Sequence, residues 1–216
     1  MNRKIGVYGG SFDPPHRGHM AIARGVTEQF GLDEFMFVPA FHAPHKSDLK
    51  PTSAFHRYAM LALATQENPK LIVSRIELEQ PDRPYSVETL GRLTAEMPEA
   101  SIFFVIGADS WEDIRTWREW ETVLTLTNII VVTRPGFEIG TDHVTDQVSE
   151  RIVDLRRAEQ SGIDRATGPR IFFTDVVQMQ ISATSIRNAV RSGSGEWRND
   201  VPQEVAKYVE KYQIYR

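Results

Sequence analysis

Two histidines three positions apart, His16 and His19, stand around Gly18 in the stretch GGSFDPPHRGHM, residues 9–20. If a helix begins near Gly18, both imidazoles face one side of it. The helix start adds N–H groups with no intrahelical partner and a partial positive charge. Imidazole donors beside such a terminus suit the oxygens of a phosphate. Gly9 and Gly10 are expected to let the backbone turn sharply and approach a ligand, while Pro14 and Pro15 stiffen the loop that follows. The same residue types also describe an ordinary Gly/Pro-rich surface turn with two polar histidines. A metal pair is a third reading, although zinc takes three or four ligands as a rule and the chain has no cysteine to supply them. Neither G-x-x-x-x-G-K-[ST] nor G-x-G-x-x-G follows the first apolar run, so the P-loop and the dinucleotide fingerprint are both excluded.

Residues 4–10 (KIGVYGG), which lead into the histidines, read as a buried strand ended by glycines. Met20, Ile22, Ala23, Val26 and Phe30 then share one helical face, with Gly31 as the stop. Residues 34–40 form a second strand, 53–66 a helix capped by Ser53, and 70–78 a strand-like run. A helix opened by Ser86 closes before Pro98. Two further apolar strands, 100–109 and 128–136, end in Gly-Ala-Asp and in Pro-Gly. Continuous apolar runs separated by helices predict an α/β protein with a Rossmann-like, doubly wound parallel sheet and helices on both faces. Ligands bind beyond the carboxyl ends of such strands, which is where Gly9, Gly10, Asp109 and Arg134 fall. The polar region 137–170 is expected to hold a charged surface helix in VSERIVDLRRAEQSG and a turn-rich IDRATGPR. Val201, Val205, Tyr208, Val209 and Tyr212 predict an apolar helical stripe near the end. Without internal repeat or low-complexity tract, residues 1–216 are read as one domain with a helical C-terminal part over about 182–216.

A chain of 216 residues, 41% apolar, can bury one substantial core. Its net charge of −4 advertises no basic surface for nucleic acid. Zero cysteines exclude thiolate catalysis, disulfides and thiolate metal sites. No signal-peptide core is present, and no stretch approaches the roughly 20 apolar residues of a membrane span. The expectation is a soluble, cytoplasmic protein without a membrane partner, its oligomeric state left open.

GGSFDPPHRGH resembles the G-G-[ST]-F-D-P-x-H-x-G-H opening of the nucleotidyltransferases that carry the H-x-G-H signature, and within them most closely the bacterial nicotinate-nucleotide adenylyltransferase family. VPAFHAPHK (38–46), FHRYAML (55–61), PYSVETL (84–90), FVIGADS (104–110), TWREWETVL (116–124), VVTRPG (131–136) and ISATSIR (181–187) are similar to further segments of that family, in the same order. The resemblance implies transfer of an adenylyl group from ATP to nicotinate mononucleotide, giving deamido-NAD and pyrophosphate. Mg2+ comes with the ATP, and no dedicated metal site is expected. The same chemistry on nicotinamide mononucleotide or phosphopantetheine is an alternative acceptor reading. A nucleotide sensor without turnover is an alternative of another class.

Carried over residue by residue, the resemblance makes His16, His19, Lys46 and Arg187 the catalytic set. It puts ATP against Gly9, Gly10, Ser11 and Phe12, the two histidines, Gly107, Asp109, and then Ile181, Ser182, Thr184, Ser185 and Arg187. Nicotinate mononucleotide falls to Gly10, Ser11, Lys46, Ser86, Trp117, Arg118 and Arg134. Ser182 or Thr184 can cap a helix through Ile186, Ala189 and Val190, offering N–H donors to phosphate, and Arg187 can fork onto two phosphates. Asp109 is either a ribose partner or an N-cap for SWEDI, or both. Trp117 is the stacking candidate for the nicotinate ring, and Trp120 is assigned to packing. Ala183, Ser86 and Glu88 depart from the family's usual serine, threonine and aspartate. The alanine predicts altered ATP affinity with the site still active.

Overall fold

A computed structural model describes residues 2–41, 52–79, 85–133, 139–156, 168–177 and 179–216. Strand β1 (Arg3–Gly10) leads to helix α1 (Arg17–Phe30), β2 (Glu34–Pro39), α2 (Ala54–Thr65), β3 (Leu71–Val73) and α3 (Ser86–Glu96). The chain then runs through β4 (Ala100–Gly107), α4 (Ala108–Glu112), α5 (Trp120–Leu126) and β5 (Asn128–Val132). It closes with α6 (Asp146–Ser149), β6 (Ile152–Asp154), β7 (Ile171–Thr174), α7 (Ala183–Arg191) and α8 (Gln203–Lys211). The strands form a seven-stranded sheet in the order β3-β2-β1-β4-β5-β7-β6. Every neighbouring pair is parallel. This is the expected Rossmann-like α/β fold.

The apolar runs are continuous because both faces are covered. Ile5, Val7, Phe104, Ile106, Ile129 and Val131 pack into one cluster with Trp111 and Leu90. Their sequence neighbours Phe103, Val105, Ile130 and Val132 enter another cluster with Phe35, Phe37, Val26 and Phe30. The period-two alternation of strand side chains sorts one run into two cores. After β1 the chain builds outward to β2 and β3, then returns to lay β4 on the other side of β1. That reversal opens a crevice at the carboxyl ends of β1 and β4.

Several expectations are corrected by the structure. Gly9 and Gly10 do not turn: β1 continues through Gly10, paired with Pro39. The sharp change comes at Phe12, whose φ is 48°. That left-handed backbone is held by an aromatic seat, since Phe12 is buried and meets Tyr8, His19 and Phe37 edge-on. Gly10 serves that seat, because a Cβ there would stand 3.0 Å from the Phe12 ring. Ser53 occupies the N-cap of α2 as expected, without a side-chain capping hydrogen bond. The N-cap of α3 is Tyr85, whose N–H donates to the Glu88 carboxylate at 3.1 Å. Asp109 does not cap α4; it lies in its first turn behind Gly107.

VSERIVDLR, the described part of the expected charged helix, is not one helix, while residues 157–167, with the rest of that stretch and most of IDRATGPR, lie outside the described residues. Four residues of α6 give way to edge strand β6, paired with β7. β-Branched Ile152 and Val153 find sheet partners there, and Arg151 donates to the carbonyls of Leu124 and Pro169. Near the end, Val201, Val205 and Val209 are buried as expected, but Val201 precedes α8 and Tyr212 is exposed. Among the described residues, no helix is long and apolar enough to cross a membrane.

Candidate active site

The opening loop sets both imidazoles at the start of α1. His16 is the N-cap and His19 lies one turn on, with their rings stacked at 3.6 Å between centroids and 22° between planes. The His16 N–H donates to His19 Nδ1 at 3.1 Å. A ring that accepts at Nδ1 carries its hydrogen on Nε2 when neutral, so His19 is fixed in the tautomer that donates from its far edge. Gly18 is required by this stack, since a Cβ there would lie 3.0 Å from His16 Nδ1 and 3.8 Å from Ile181. The Ile181 distance is ordinary van der Waals contact, so a side chain there would press on the imidazole alone.

A cavity of about 170 Å³ opens at this point. From the expected ATP set, Ser11, Phe12, His16 and His19 line it beside Gly107 and Asp109, and Ile181, Ser182 and Thr184 close it. Gly9, Gly10, Ser185 and Arg187 are not among its lining residues. Arg187 nevertheless reaches the opening loop: its Nη1 donates to the Asp13 carbonyl at 2.7 Å and its Nη2 to Thr184 Oγ1 at 3.1 Å. Ser182 is the N-cap of α7 with no side-chain capping hydrogen bond. Tyr8, Ile22, Thr133, Val177 and Met179 also line the cavity and were not foreseen. Tyr8 and Thr133 looked like ordinary strand and strand-end residues, and only the sheet order reveals that both face the crevice. Ala183, the departure from the family's serine, is itself a lining residue.

Of the expected acceptor set, Ser11 belongs to this cavity, whereas Ser86, Trp117 and Arg118 lie elsewhere. Trp117 is half-buried against the first core cluster, its ring 6.2 Å from Phe104, and Phe104 in turn lies 3.6 Å from where a Gly9 Cβ would be. Arg118 stands over the Tyr85 ring at 4.8 Å and 3.4 Å from the Glu88 carboxylate, which brings it to the start of α3 beside Ser86. Glu77 accepts a hydrogen bond from Thr89 Oγ1 of the same helix at 3.0 Å. Burial pushes its carboxyl above the ordinary range, with Thr89, the Phe41 N–H and Arg57 opposing. Lys46 and Arg134, like His45 and Pro84, lie outside the described residues.

A residue given no role in the sequence holds the loops together. Arg57 of α2 is 0% exposed. It donates to the carbonyls of Thr52 at 2.9 Å, Ser11 at 2.7 Å, Ala40 at 2.6 Å and Phe41 at 3.3 Å. One planar fork thus satisfies carbonyls from the ends of β1 and β2 and from the lead into α2. Burial pulls its pKa below the ordinary guanidinium value, countered chiefly by Asp13. In the sequence it is only an arginine within FHRYAML, with nothing local to mark its partners.

A parallel α/β sheet with a donor-rich cavity at its carboxyl edge, bounded by two helix starts, defines a nucleotide-binding class of protein. The sequence profile described as cytidylyltransferase-like matches residues 7–189, and the chain belongs to that family. It is 36% identical over 207 residues to a protein of Corynebacterium jeikeium named probable nicotinate-nucleotide adenylyltransferase, covering 96% of this chain and 98% of that one. It is 34% identical over 215 residues to the nicotinate-nucleotide adenylyltransferase of Bacillus subtilis, covering 99% and 98%. The fold is similar to that of the Plasmodium falciparum nicotinic acid mononucleotide adenylyltransferase complexed with NaAD, at a TM-score of 0.75 and 18% identity, over 99% of this chain and 97% of that one.

Proposed function

We propose that the protein transfers the adenylyl group of ATP to nicotinate mononucleotide, forming deamido-NAD and pyrophosphate in NAD biosynthesis. The observation that carries this reading is the meeting of the H-x-G-H imidazoles with the start of α7 around one cavity. In the reaction, a phosphate oxygen of the mononucleotide attacks the α-phosphorus of ATP in line. The new P–O bond forms as the bond to the β-phosphate oxygen breaks, and pyrophosphate leaves with that electron pair. An ionised phosphate is already a nucleophile, so no base or covalent enzyme intermediate is required.

What the reaction needs is alignment of two anions and neutralisation of the leaving charge. Positioning supplies up to roughly 7–11 kcal/mol in favourable cases, and aimed donors add several more. In this reading His19 donates from Nε2 to the phosphate that carries the reaction, and His16 shapes the same edge. The first N–H groups of α7 with Ser182 and Thr184 receive the outer phosphates, Arg187 beside them. Asp109 accepts from the ribose hydroxyls. Trp117 stacks on the nicotinate ring while Ser86 and Arg118 read its carboxylate. Lys46 and Arg134 contribute positive charge to the phosphates. The cavity offers donors suited to phosphate, and no group of three or more potential metal ligands stands together among the described residues. Mg2+ enters as part of the substrate, travelling with ATP. This reading implies one domain and a cytoplasmic setting.

The test is paired kinetics. Purified protein with ATP, Mg2+ and nicotinate mononucleotide is expected to release pyrophosphate with a kcat/KM well above that for nicotinamide mononucleotide. Equal or greater efficiency with the amide or with phosphopantetheine would reassign the acceptor. Nucleotide binding without pyrophosphate release would mark a sensor.

A further inference from the structure

Tyr215 lies 202 positions from Asp13 in sequence, yet its hydroxyl donates to Asp13 Oδ1 at 2.6 Å. Asp13 sits in the opening loop and is 6% exposed. Its other carboxylate oxygen accepts the Thr52 N–H at 3.2 Å, and its carbonyl accepts Arg187 Nη1 at 2.7 Å. One residue between Phe12 and the histidines is thus clasped from the segment after α8, from the lead into α2 and from α7. The backbone works to deliver this contact: after α8, Gln213 and Tyr215 take φ values of 51° and 71°. The turn sends Ile214 into the cluster of Trp197, Val201 and Val205 and points the tyrosine at the loop. A bulky aromatic with left-handed backbone is uncommon and persists where surrounding contacts over-determine it.

We propose that Tyr215 is a positioning residue for the reaction, which by holding Asp13 sets the loop that carries His16 and fixes where Arg187 presents its guanidinium. The inference rests on the adenylyl-transfer reading. Arg187 spans two acceptors, the Asp13 carbonyl and the Thr184 hydroxyl of the cavity wall, so a shift of Asp13 moves the cation relative to the phosphates. The bond to a buried carboxylate is of the short, charge-assisted kind. Burial and the neighbouring carboxylate push the Tyr215 phenol above its ordinary value, so it stays a donor through the neutral range. Small misplacements of catalytic groups cost large factors in rate, up to about 100-fold for 1 Å.

Tyr215→Phe in the full chain removes the hydroxyl and keeps the ring. Steady-state kinetics are expected to show kcat reduced about ten-fold, with KM for nicotinate mononucleotide within about two-fold and the melting temperature within a few degrees. Asp13→Asn weakens the same bond without touching the tail and should give the same kcat-only signature. The double variant should be no worse than the poorer single one, because both loosen the same clasp of Tyr215, Asp13 and Thr52. Unchanged kcat in either single variant, losses that multiply in the double variant, or a loss that merely tracks the fraction unfolded would each overturn the inference. A wild-type protein that does not turn over would overturn the adenylyl-transfer reading and this inference together. An active wild type with an indifferent Tyr215→Phe overturns the inference alone.

Discussion

At the scale of single residues, the His16–His19 stack has a chemical consequence. The first ring's own backbone N–H fixes the second ring's tautomer, so the donor on His19 is preset before any nucleotide arrives. Preset donors cost little reorganisation when charge develops, which is why they matter more in the transition state than in binding. His19→Ala is therefore expected to lower kcat about 10²–10³-fold while ATP affinity, read by calorimetry, changes only a few-fold. A loss of affinity equal to the loss of rate would contradict that role. Residue types and spacing made phosphate chemistry one reading of the histidine pair and the serine–threonine turn, beside an ordinary turn and a plain helix cap, and the ordered family resemblance weighed for the first. Arg57 could not. Its four carbonyl partners come from three separate segments, and no local pattern announces such a convergence.

At the scale of elements, glycines in two helices separate geometry from stability. Gly18 of α1 and Gly91 of α3 are both poor helix formers, costing about 1 kcal/mol each relative to alanine. A Cβ on Gly91 meets nothing within 4 Å, whereas one on Gly18 meets the His16 ring at 3.0 Å. Gly91→Ala is expected to raise unfolding free energy by about 0.5–1 kcal/mol with kinetics unchanged. Gly18→Ala should leave the melting temperature near wild type and cut kcat at least ten-fold, since the imidazole must give way. The elements themselves were largely legible, because apolar runs with strong helix stops such as Gly31, φ 61°, report local physics. The failures were non-local. Nothing within residues 146–154 says that β7 waits to pair with Ile152 and Val153, so a charged stretch read as a helix. Gly9 and Gly10 suggested a turn, but both stay in the strand, and the role of Gly10 is set by the Phe12 ring folded back over it.

At the scale of the whole molecule, the two expected substrate regions stand on either side of β1, the histidine cavity towards one core cluster and Trp117 against the other. Glu77, bonded to Thr89 of α3, has its carboxyl raised chiefly by burial, with Arg57 opposing. The folded chain then binds a proton more tightly than the unfolded chain, so the stability it contributes is full below the ordinary value of 4.5 and is lost as pH rises through the higher folded value. Wild type and Glu77→Gln should match in unfolding free energy near pH 4.5, with wild type falling behind as pH climbs above it. Denaturant titrations at stepped pH measure this, and parallel curves would rule it out. The sheet order was readable in class from the alternation of strands and helices. Which face each candidate occupies was not, because it depends on where β4 is laid down.

The flanks of that sheet have a further effect. Strands β3 and β6, one on each margin, are only three residues long, and Asp154 at the end of β6 is bound to Arg156 at 2.6 Å. Exposed margins invite intermolecular zippering into aggregates, and brevity with charge discourages it. The same seven strands that arrange the histidine cavity therefore give a neighbouring molecule little ladder to extend.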